Sequence, residues 1–336
     1  GRSKSECGEF FEMANITPMG DKWPFTATPL GPSVGVRNLY WVGQVNENGK
    51  FIPDNPVPKT VEFSGFAKDG YGLLSPSIIQ HEGKTIAMGI VPDKLPTSDN
   101  RQMGWAHSYS LPREWSIDAN GELVQKPFSG LVSYRSDTVL VKENFNQDGV
   151  MSLDSVSGRG LEVCAEFTVS EHITGFELLR NRYGKGVKIY FDPMEQNIVV
   201  DMTAVTRKYN DNHLFRGKYV STLPQVIAPG EKMKLHVFLD RSILDIFIND
   251  RWASSVRIFP TNETATGTCF YTQGATQVER LEAYIMGDGW APAPQMTDVE
   301  NVENEELSDA SIKYLHDGQL YISKNGKKYT ILGLEL

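Results

Sequence analysis

A carboxylate beside a cysteine, Glu6 and Cys7, stands at the head of the aromatic-rich stretch SECGEFFEM (residues 5–13). Glutamate can serve as a general acid, and enzymes that use it so commonly pair it with a second carboxylate in a different environment. Glu9 and Glu12 are too close in sequence to face Glu6 across a substrate, because alternate strand residues point to opposite faces. From these letters alone, a solvated carboxylate at the start of a strand is the more ordinary interpretation.

Three aspartates in LHVFLDRSILDIFIND (residues 235–250), namely Asp240, Asp245 and Asp250, suggest a cation site at first sight. Their spacing lacks the density of oxygen ligands that a calcium loop provides. We therefore expect a solvated strand face at these positions, with a role in packing rather than in chemistry.

The three cysteines, Cys7, Cys164 and Cys269, are far apart and show no paired metal-ligand spacing. This pattern predicts neither a disulfide framework nor a zinc site. We expect at least two of them to be buried as small hydrophobic residues, and one bridge stays open as an alternative. No metal ion and no cofactor are expected.

The composition argues against several classes of partner. The 336 residues carry a formal net charge of -9 without a rich cluster of Lys and Arg, so we expect neither nucleic acid nor an anionic membrane as partner. No apolar run approaches the ~18 residues of a membrane span, and no charged-then-apolar leader opens the chain. Because residue 1 is Gly rather than Met, we expect that the chain has been processed or truncated and that its upstream context is missing.

Most of the chain has the pattern of β-strands. Residues 160–169, GLEVCAEFTV, alternate between two faces with the period of 2 that is typical of a half-buried strand. Further apolar runs are GVKIYF (186–191), NIVVDM (197–202), KLHVFL (234–239), ILDIFI (243–248), SSVRIF (254–259) and VERLEAYI (278–285). Short strands without helical patterns between them favour an antiparallel sandwich over a parallel α/β sheet.

Residues 1–128 are denser in Pro, Gly and Trp and indicate short strands with long loops. Two hairpins are predicted there, over residues 38–53 and 75–91, with their bends at Asn48-Gly49 and Glu82-Gly83. Successive meanders of this kind suit either a propeller blade or an ordinary sheet.

The C-terminal end has a different texture. Residues 291–310 combine Pro with many acidic residues, which indicates an extended linker. Residues 311–336 alternate again, and Asp317-Gly318 and Asn325-Gly326 predict two tight hairpin turns.

Four segments occur in the order seen in the family 32 glycoside hydrolases: SECGEFFEM (5–13), NLYWVGQVNENGKFIPDNP (38–56), GWAHSYSLPREWSI (104–117) and LHVFLDRSILDIFINDRWASSVRIFP (235–260). Over residues 5–287 the chain thus resembles these β-fructosidases, which include invertases, levanases and inulinases. The resemblance implies a five-bladed β-propeller that carries the active site, followed by a β-sandwich. It also implies that only the C-terminal part of the family's chain is present.

In that family the Glu of a Glu-Cys-Pro stretch is the general acid/base, and the match falls on Glu6 and Cys7, with Gly8 in place of the proline. A retaining glycosidase also needs a nucleophilic carboxylate about 5 Å away. The family carries its nucleophile in Asn-Asp-Pro and a transition-state stabiliser in Arg-Asp-Pro, and neither tripeptide occurs here. Asp192-Pro193 resembles a turn in the family's sandwich and is expected to be structural.

Asp69 and Tyr71 stand where the family has an Asp followed by aromatic residues at the sugar pocket. Asp69 offers acceptors for sugar hydroxyls and Tyr71 a flat apolar face, while an Asp-Gly turn beside an exposed Tyr is the alternative. Trp105 is a third candidate sugar contact, although packing in a blade core is the commoner role, and His107 has no visible carboxylate or metal partner. Arg113 is expected to fix blade packing through charge-assisted bonds.

The expected fold class is all-β. We predict partial five-bladed-propeller-like blades (1–128), a β-sandwich (129–290), an acidic linker (291–310) and a small C-terminal β appendage (311–336). The last two segments resemble C-terminal appendages of secreted Bacteroidetes proteins, which implies a secreted, periplasmic or cell-surface location. The alternative is a small β-layer that covers a sandwich edge.

The leading hypothesis is the C-terminal portion of a retaining glycoside hydrolase that acts on β-fructofuranosides of the levan, inulin or sucrose type. Its partner would be this carbohydrate, with upstream propeller blades as a further candidate, and the chain alone is expected to be inactive because the nucleophile is missing. A non-catalytic carbohydrate-binding protein is the second hypothesis, and a purely structural sandwich is the third.

Overall fold

The computed structural model describes residues 10–30, 38–63, 73–93, 95, 97–205, 217–258, 262, 264–287, 312–316, 319–324 and 327–330. The chain divides into two compact units, Gly1–Gly289 and Trp290–Leu336. The described residues form two five-stranded sheets, a ten-stranded sheet and a three-stranded sheet, which confirms the all-β prediction. Among them, no helix has the length and apolarity that a membrane span requires.

The first sheet is a meander of antiparallel strands. Its members are β1 (Phe10–Ile16), β2 (Trp23–Leu30), β3 (Leu39–Val45), β4 (Phe51–Pro53) and β5 (Lys59–Thr60). The first four pair in chain order and β5 joins β3. The predicted hairpin is confirmed, since Gly49 has a φ of 72° and the Asn46 side chain accepts the backbone N–H groups of Asn48 and Lys50 at 3.1 and 2.9 Å.

The second sheet repeats this plan. Its strands are β6 (Leu74–His81), β7 (Lys84–Val91), β8 (Ser108–Tyr109), β9 (Arg113–Ile117) and β10 (Leu123–Pro127). The order β6-β7-β9-β10 follows the chain, with β8 paired to β7. The predicted bend at Glu82-Gly83 is confirmed, because both residues have positive φ, 49° and 74°, as a two-residue hairpin turn requires.

A short helix, α1 (Thr97–Met103), lies between β7 and β8, where no helix was expected. Seven residues of the sequence TSDNRQM contain no full apolar period, so the hydrophobic pattern gives no helical signal. The local signal is polar: Asp99 lies in the first turn and Arg101 in the last, where they complement the helix dipole.

The third sheet forms the sandwich. After a 3₁₀ turn (Ser129–Tyr134), its strands are β11 (Arg135–Ser152), β12 (Gly160–Thr168), β13 (Thr174–Arg180), β14 (Val187–Asp192), β15 (Asn197–Asp201), β16 (Lys218–Thr222), β17 (Lys232–Asp240), β18 (Ile243–Ile248), β19 (Trp252–Arg257) and β20 (Gly267–Met286). Each of the seven predicted apolar runs overlaps one of these strands. The division between residues 128 and 129 stays a prediction.

The long strand β20 belongs to both layers of the sandwich. Its first half pairs with β13, where Thr272 lies opposite Thr174, and its second half pairs with β12, where Ile285 lies opposite Leu161. One layer is therefore β16-β15-β14-β13 and the other is β12-β17-β18-β19, with β20 continuous between them. The buried core between the layers contains side chains from both of them, such as Phe176 of β13 and Val237 of β17.

The first half of strand β12 is buried on both faces rather than on one, whereas Glu166 near its end is about half exposed. Glu162, expected on a half-exposed face, is buried. Its carboxylate accepts two hydrogen bonds from Arg135, at 2.7 and 2.6 Å, and lies 2.8 Å from Nε2 of His236. Burial alone would raise the pKa of Glu162, but these two partners lower it. The alternation predicted the strand correctly, and the ion pair explains how a carboxylate occupies the second buried face.

Gly175 makes room for two tyrosines in the sandwich. It lies opposite Tyr190 of β14 and Tyr271 of β20, and those rings contact each other edge to face at a centroid distance of 6.5 Å. A Cβ at position 175 would lie 2.1 Å from the carbonyl oxygen of Ile189. This site therefore requires glycine because of a close backbone approach.

The smaller unit contains a separate sheet of β21 (Ile312–His316), β22 (Gln319–Lys324) and β23 (Lys327–Thr330) in sequential antiparallel order. The strands predicted in this segment are confirmed. The predicted turns at Asp317-Gly318 and Asn325-Gly326 lie outside the described residues.

Candidate active site

The first strands of the two five-stranded sheets, β1 and β6, lie side by side. Asn15 donates its Nδ2 hydrogen to the carbonyl oxygen of Pro76 at 2.8 Å, and Gln80 donates its Nε2 hydrogen to that of Pro18 at 3.0 Å. Residue numbers rise together in the two contacts, so β1 and β6 run in the same direction. Both strands therefore begin at one end of the sheets.

This end, which we call the entry end, is marked by Phe10 and Leu74, the first residues of β1 and β6. Leu74 pairs with Ile90 near the end of β7, and Val91 pairs with Ser108 of β8. The segment that leads into β8 therefore lies at the entry end as well. Loops between rigid strands are where binding residues are commonly presented.

Three of the predicted site residues, Glu6, Asp69 and Tyr71, lie outside the described residues. In the sequence, Glu6 precedes β1 by a few residues, and Asp69 and Tyr71 precede β6 in the same way. Their roles stay predictions.

Trp105, the fourth predicted site residue, lies in the segment before β8 and is 48% exposed. It is not a core residue of the blade, which was the commoner alternative. The guanidinium carbon of Arg257, on β19 of the sandwich, lies over its ring at 5.5 Å from the centroid. An exposed aromatic face held by a cation is suited to contact the apolar side of a ligand ring.

His107 has a carboxylate partner that the sequence did not reveal. Its backbone N–H donates to Oδ2 of Asp93 at 2.6 Å, and its Nδ1 accepts the backbone N–H of Asp93 at 3.3 Å. The carboxylate also accepts the N–H of Leu95 at 2.9 Å. Asp93 is fully buried, so it acts as an anchor for both sides of the loop that contains α1.

Arg113 is the centre of a buried ion cluster. Its guanidinium donates to Oε1 of Glu62 at 2.6 Å, to Oδ1 of Asp245 at 3.2 Å, to Oγ of Ser255 at 2.5 Å and to Oε1 of Gln125 at 3.0 Å. The expectation that Arg113 makes charge-assisted bonds is confirmed. The partners come from the sandwich as well as from the blades, so the bonds join the two.

Asp245 was expected on a solvated strand face, and this expectation was wrong. The side chain is fully buried and pairs with Arg113, and it accepts the backbone N–H of Leu111 at 3.1 Å. The second face of β18 is covered by the blade, which the period of the sequence cannot show. Asp240 is exposed and Asp250 is half-buried in an ion pair with Lys234.

Glu62, two residues after β5, accepts a hydrogen bond next to the entry end. Its Oε2 accepts the backbone N–H of Leu73 at 2.7 Å, one residue before β6. Burial raises the pKa of Glu62, and Arg113 opposes that rise. No local sequence pattern predicts this role, because the partners Arg113 and Ser255 are 51 and 193 positions away.

The remaining sequence expectations concern structural residues. Asp192 caps the turn after β14 by accepting the backbone N–H groups of Met194 and Glu195 at 3.1 and 3.3 Å, which confirms the structural role of Asp192-Pro193. Cys164 and Cys269 are buried free thiols, and burial raises the pKa of Cys269 to about 11. Among the described residues, no group of three or more His, Cys, Asp or Glu side chains is placed to hold a metal ion.

Two meander sheets followed by a β-sandwich define a protein of the propeller and sandwich class. Sequence comparison is more specific: the family model "Glycosyl hydrolases family 32 N-terminal domain" matches residues 2–127, and "Glycosyl hydrolases family 32 C terminal" matches residues 131–285. The chain belongs to glycoside hydrolase family 32, the β-fructosidase family. The family resemblance found in the sequence is thus confirmed.

Individual relatives are distant. A levanase from Bacillus subtilis is 25% identical over 306 residues, which cover 88% of this chain and 44% of the relative. A sucrose-6-phosphate hydrolase from Escherichia coli is 23% identical over 291 residues, 84% of this chain and 55% of the relative. The chain thus spans about half the length of these curated relatives.

The β-fructofuranosidase of Schwanniomyces occidentalis, solved in complex with fructosyl-erythritol, has a similar fold with a TM-score of 0.66 at 17% identity. The match covers 83% of this chain and 60% of that structure. This likeness confirms the predicted fold class, in which propeller-like blades precede a β-sandwich.

Proposed function

We propose that this chain forms the acid/base-bearing part of a retaining β-fructofuranosidase. The family match over residues 2–127 and 131–285 carries the proposal. The names of the relatives, levanase and sucrose-6-phosphate hydrolase, and the fructosyl-erythritol bound to a related fold support β-fructofuranosyl compounds of the levan, inulin or sucrose type as substrates.

Glu6 is assigned both proton transfers. In the first step it gives its proton to the glycosidic oxygen, while a carboxylate nucleophile forms the bond to the fructosyl carbon and the leaving group departs. In the second step Glu6 takes a proton from the water that cleaves the fructosyl–enzyme bond. The first role requires a raised pKa, which partial burial and a neighbouring anionic carboxylate would provide.

Sugar binding is assigned to the entry end. β1 and β6 begin there side by side, and the sequence positions of Glu6 and Asp69 directly precede these two strands. In this proposal Asp69 accepts hydrogen bonds from sugar hydroxyls, and Tyr71 and Trp105 offer apolar faces. The exposed ring of Trp105 at this end supports the assignment.

The nucleophile is assigned to blades outside these 336 residues, because neither Asn-Asp-Pro nor Arg-Asp-Pro occurs in the sequence. A chain with only the proton donor should bind a fructoside without cleaving it. The upstream blades are thus the protein partner in this proposal, and the fructan or sucrose-like sugar is the small partner.

The test combines hydrolysis with binding. Purified protein of these 336 residues is incubated with levan, inulin and sucrose, and fructose release is compared with that of Glu6→Gln. Titration calorimetry measures binding of short fructo-oligosaccharides. We expect saturable binding of the fructo-oligosaccharides, and the same background release of fructose by the wild type and by Glu6→Gln. Fructose release that depends on Glu6 would overturn the proposed inactivity, and the absence of binding would overturn the proposed substrate.

A non-catalytic carbohydrate-binding role is the second candidate, favoured by two exposed rings at the entry end, Trp105 and the 62%-exposed Tyr109. Such a module needs no acid/base. It would be supported if Glu6→Gln left binding unchanged and if the chain remained inactive when the upstream blades were supplied.

A secreted, periplasmic or cell-surface location also belongs to the proposal. It is supported by the resemblance of residues 291–336 to C-terminal appendages of secreted Bacteroidetes proteins. Fractionation of the source cells tests it, and recovery of the protein from the cytoplasm alone would contradict it.

A further inference from the structure

An arginine of the sandwich lies beneath the aromatic residue at the entry end. Arg257, the last residue of β19, is only 1% exposed. Its guanidinium lies over the ring of Trp105 at 5.5 Å and donates a hydrogen bond to Oγ of Ser108. One contact falls in the short segment between α1 and β8, and the other falls on the first residue of β8. The sandwich therefore holds one side of this segment directly.

Asp93 holds the other side of the same segment. The buried carboxylate accepts the N–H of His107, two residues after Trp105, and the N–H of Leu95. His107 adopts a φ of 63°, a left-handed conformation that costs a non-glycine residue of order 1–3 kcal/mol and persists only where its surroundings impose it. The backbone around Trp105 is thus fixed by specific bonds.

The charges of the two anchors support each other. Burial lowers the pKa of Arg257, and the carboxylates of Asp93 and Asp240 oppose that change. A buried guanidinium with nearby carboxylates stays in place as a cation, and a cation over an indole face gains more stabilisation when water is excluded. One face of Trp105 is occupied in this way while the residue remains about half exposed.

We infer that Arg257 and Asp93 are positioning residues for the sugar contact made by Trp105, so that the sandwich helps to set the affinity of the entry end for fructosyl groups. This inference rests on the proposed function. Neither residue touches the sugar in this arrangement. Arg257 acts through the ring of Trp105, and Asp93 acts through the backbone that carries it.

The central test is a double-mutant cycle of Arg257→Met and Trp105→Ala, with the dissociation constant for short fructo-oligosaccharides measured by titration calorimetry. Without Arg257 the ring of Trp105 is no longer held in place, and the cost of ordering it on binding should weaken the affinity of Arg257→Met by about three- to tenfold. The same change should have no effect in the Trp105→Ala background, because the arginine acts through that ring. Arg257→Lys keeps the charge without the planar group and should be intermediate.

Arg251→Met is the matched control. Its guanidinium also lies over a tryptophan, at 5.6 Å from the ring centroid of Trp252, and it is ion-paired with Asp118 in the turn between β9 and β10. That turn is at the opposite end of the sheet from the start of β9, so binding should stay unchanged. A melting curve of each variant separates lost affinity from lost folding.

Three results would overturn the inference. The first is wild-type affinity in Arg257→Met, and the second is an equal loss of affinity in the presence and absence of the Trp105 ring. If Arg257→Met does not fold, wild-type affinity in Arg257→Lys and in Asp93→Asn serves as the third. If the wild-type chain binds no fructo-oligosaccharide, the proposed substrate fails and the inference fails with it, whereas the first two results leave the proposed substrate intact.

Discussion

Glu114, on β9, is a buried carboxylate surrounded by donors. It accepts hydrogen bonds from Nζ of Lys84 and from the backbone N–H of Ser129, both at 2.9 Å, and Nζ of Lys126 lies 3.4 Å away. Burial alone would raise its pKa, but these donors together lower the pKa of Glu114 to about 2. The carboxylate therefore stabilises the folded state in its charged form.

We predict that Glu114→Gln lowers the free energy of unfolding at pH 7 by about 1–2 kcal/mol, a figure reduced for the exposure of the two lysines. Because the folded pKa lies below the unfolded value, this stabilisation is present above pH ~4.5 and is lost as the pH falls towards ~2. Urea denaturation of both proteins between pH 7 and pH 2 measures the difference. If the difference in unfolding free energy between the two proteins did not narrow at low pH, the stabilising role of the charged Glu114 would be contradicted.

Glu166→Gln is the control for this prediction, since Glu166 is about half exposed and lies 4.0 Å from its lysine partner. An exposed pair at this distance contributes little to stability. Its denaturation midpoint should follow that of the wild type at every pH.

The chemistry of single residues was predictable where it depends on near neighbours in the sequence. Asp192 and its turn are an example, because the side chain bonds to backbone groups two and three residues ahead. Arg113 was predictable only in kind, as a residue that makes charge-assisted bonds. Its partners Glu62 and Asp245 lie 51 and 132 positions away, and no local pattern encodes such pairs.

At the scale of elements, strand β13 depends on the glycine at its centre. We predict that Gly175→Ala lowers the free energy of unfolding by about 1–3 kcal/mol, because the new methyl group would overlap the carbonyl of Ile189 and push the strands apart. Chemical denaturation measures the loss, and near-ultraviolet circular dichroism reports the packing of Tyr190 and Tyr271.

Gly158→Ala is the matched control in the same sandwich. A Cβ at that position would meet its nearest atom, on the side chain of Leu161, at an ordinary 3.6 Å. The variant should be close to the wild type in stability. An equal loss in both variants would show that general strand flexibility, rather than the close approach at Gly175, sets the cost.

Strands with a regular apolar pattern were predictable, and irregular elements were not. ILDIFI over residues 243–248 coincides with β18, because three β-branched isoleucines and a phenylalanine in six residues favour a strand. The edge strand β16 (KYVST) was missed, because it has only one buried residue and hydrophobic burial therefore gives it little signal. Which strands pair with each other could not be predicted either, because strand pairing, like the ion pairs, depends on segments that are distant in the sequence.

At the scale of the whole larger unit, the cluster around Arg113 connects the blades to the sandwich. Arg113 lies on β9, Asp245 on β18 and Ser255 on β19. We predict that Arg113→Met costs about 3–5 kcal/mol, because it leaves the carboxylates of Glu62 and Asp245 buried without their cation. Unfolding should also separate into steps, with the blades opening before the sandwich.

Hydrogen exchange measured by mass spectrometry distinguishes stepwise unfolding of blades and sandwich from their joint unfolding. In the variant, amides of β6, β7 and β9 should exchange faster than those of β12 and β17, whereas the wild type should open them together. Lys22→Met is the control. It removes an exposed ion pair with Asp54 and should leave hydrogen exchange in the blades and in the sandwich as in the wild type. If amide exchange in Arg113→Met became faster to the same extent in the blades and in the sandwich, the proposal that Arg113 connects the two would be contradicted.

The continuity of β20 has a consequence for how the protein is made. Before residues 267–286 are synthesised, β12 and β13 each lack one neighbour, and their open edges could pair with strands of another chain. The ribosome delivers the N-terminal blades and nine strands of the sandwich before the one that completes both of its layers. The nascent chain is therefore exposed to wrong pairing until almost all of this unit has been translated, and closure of the sandwich comes as a late event.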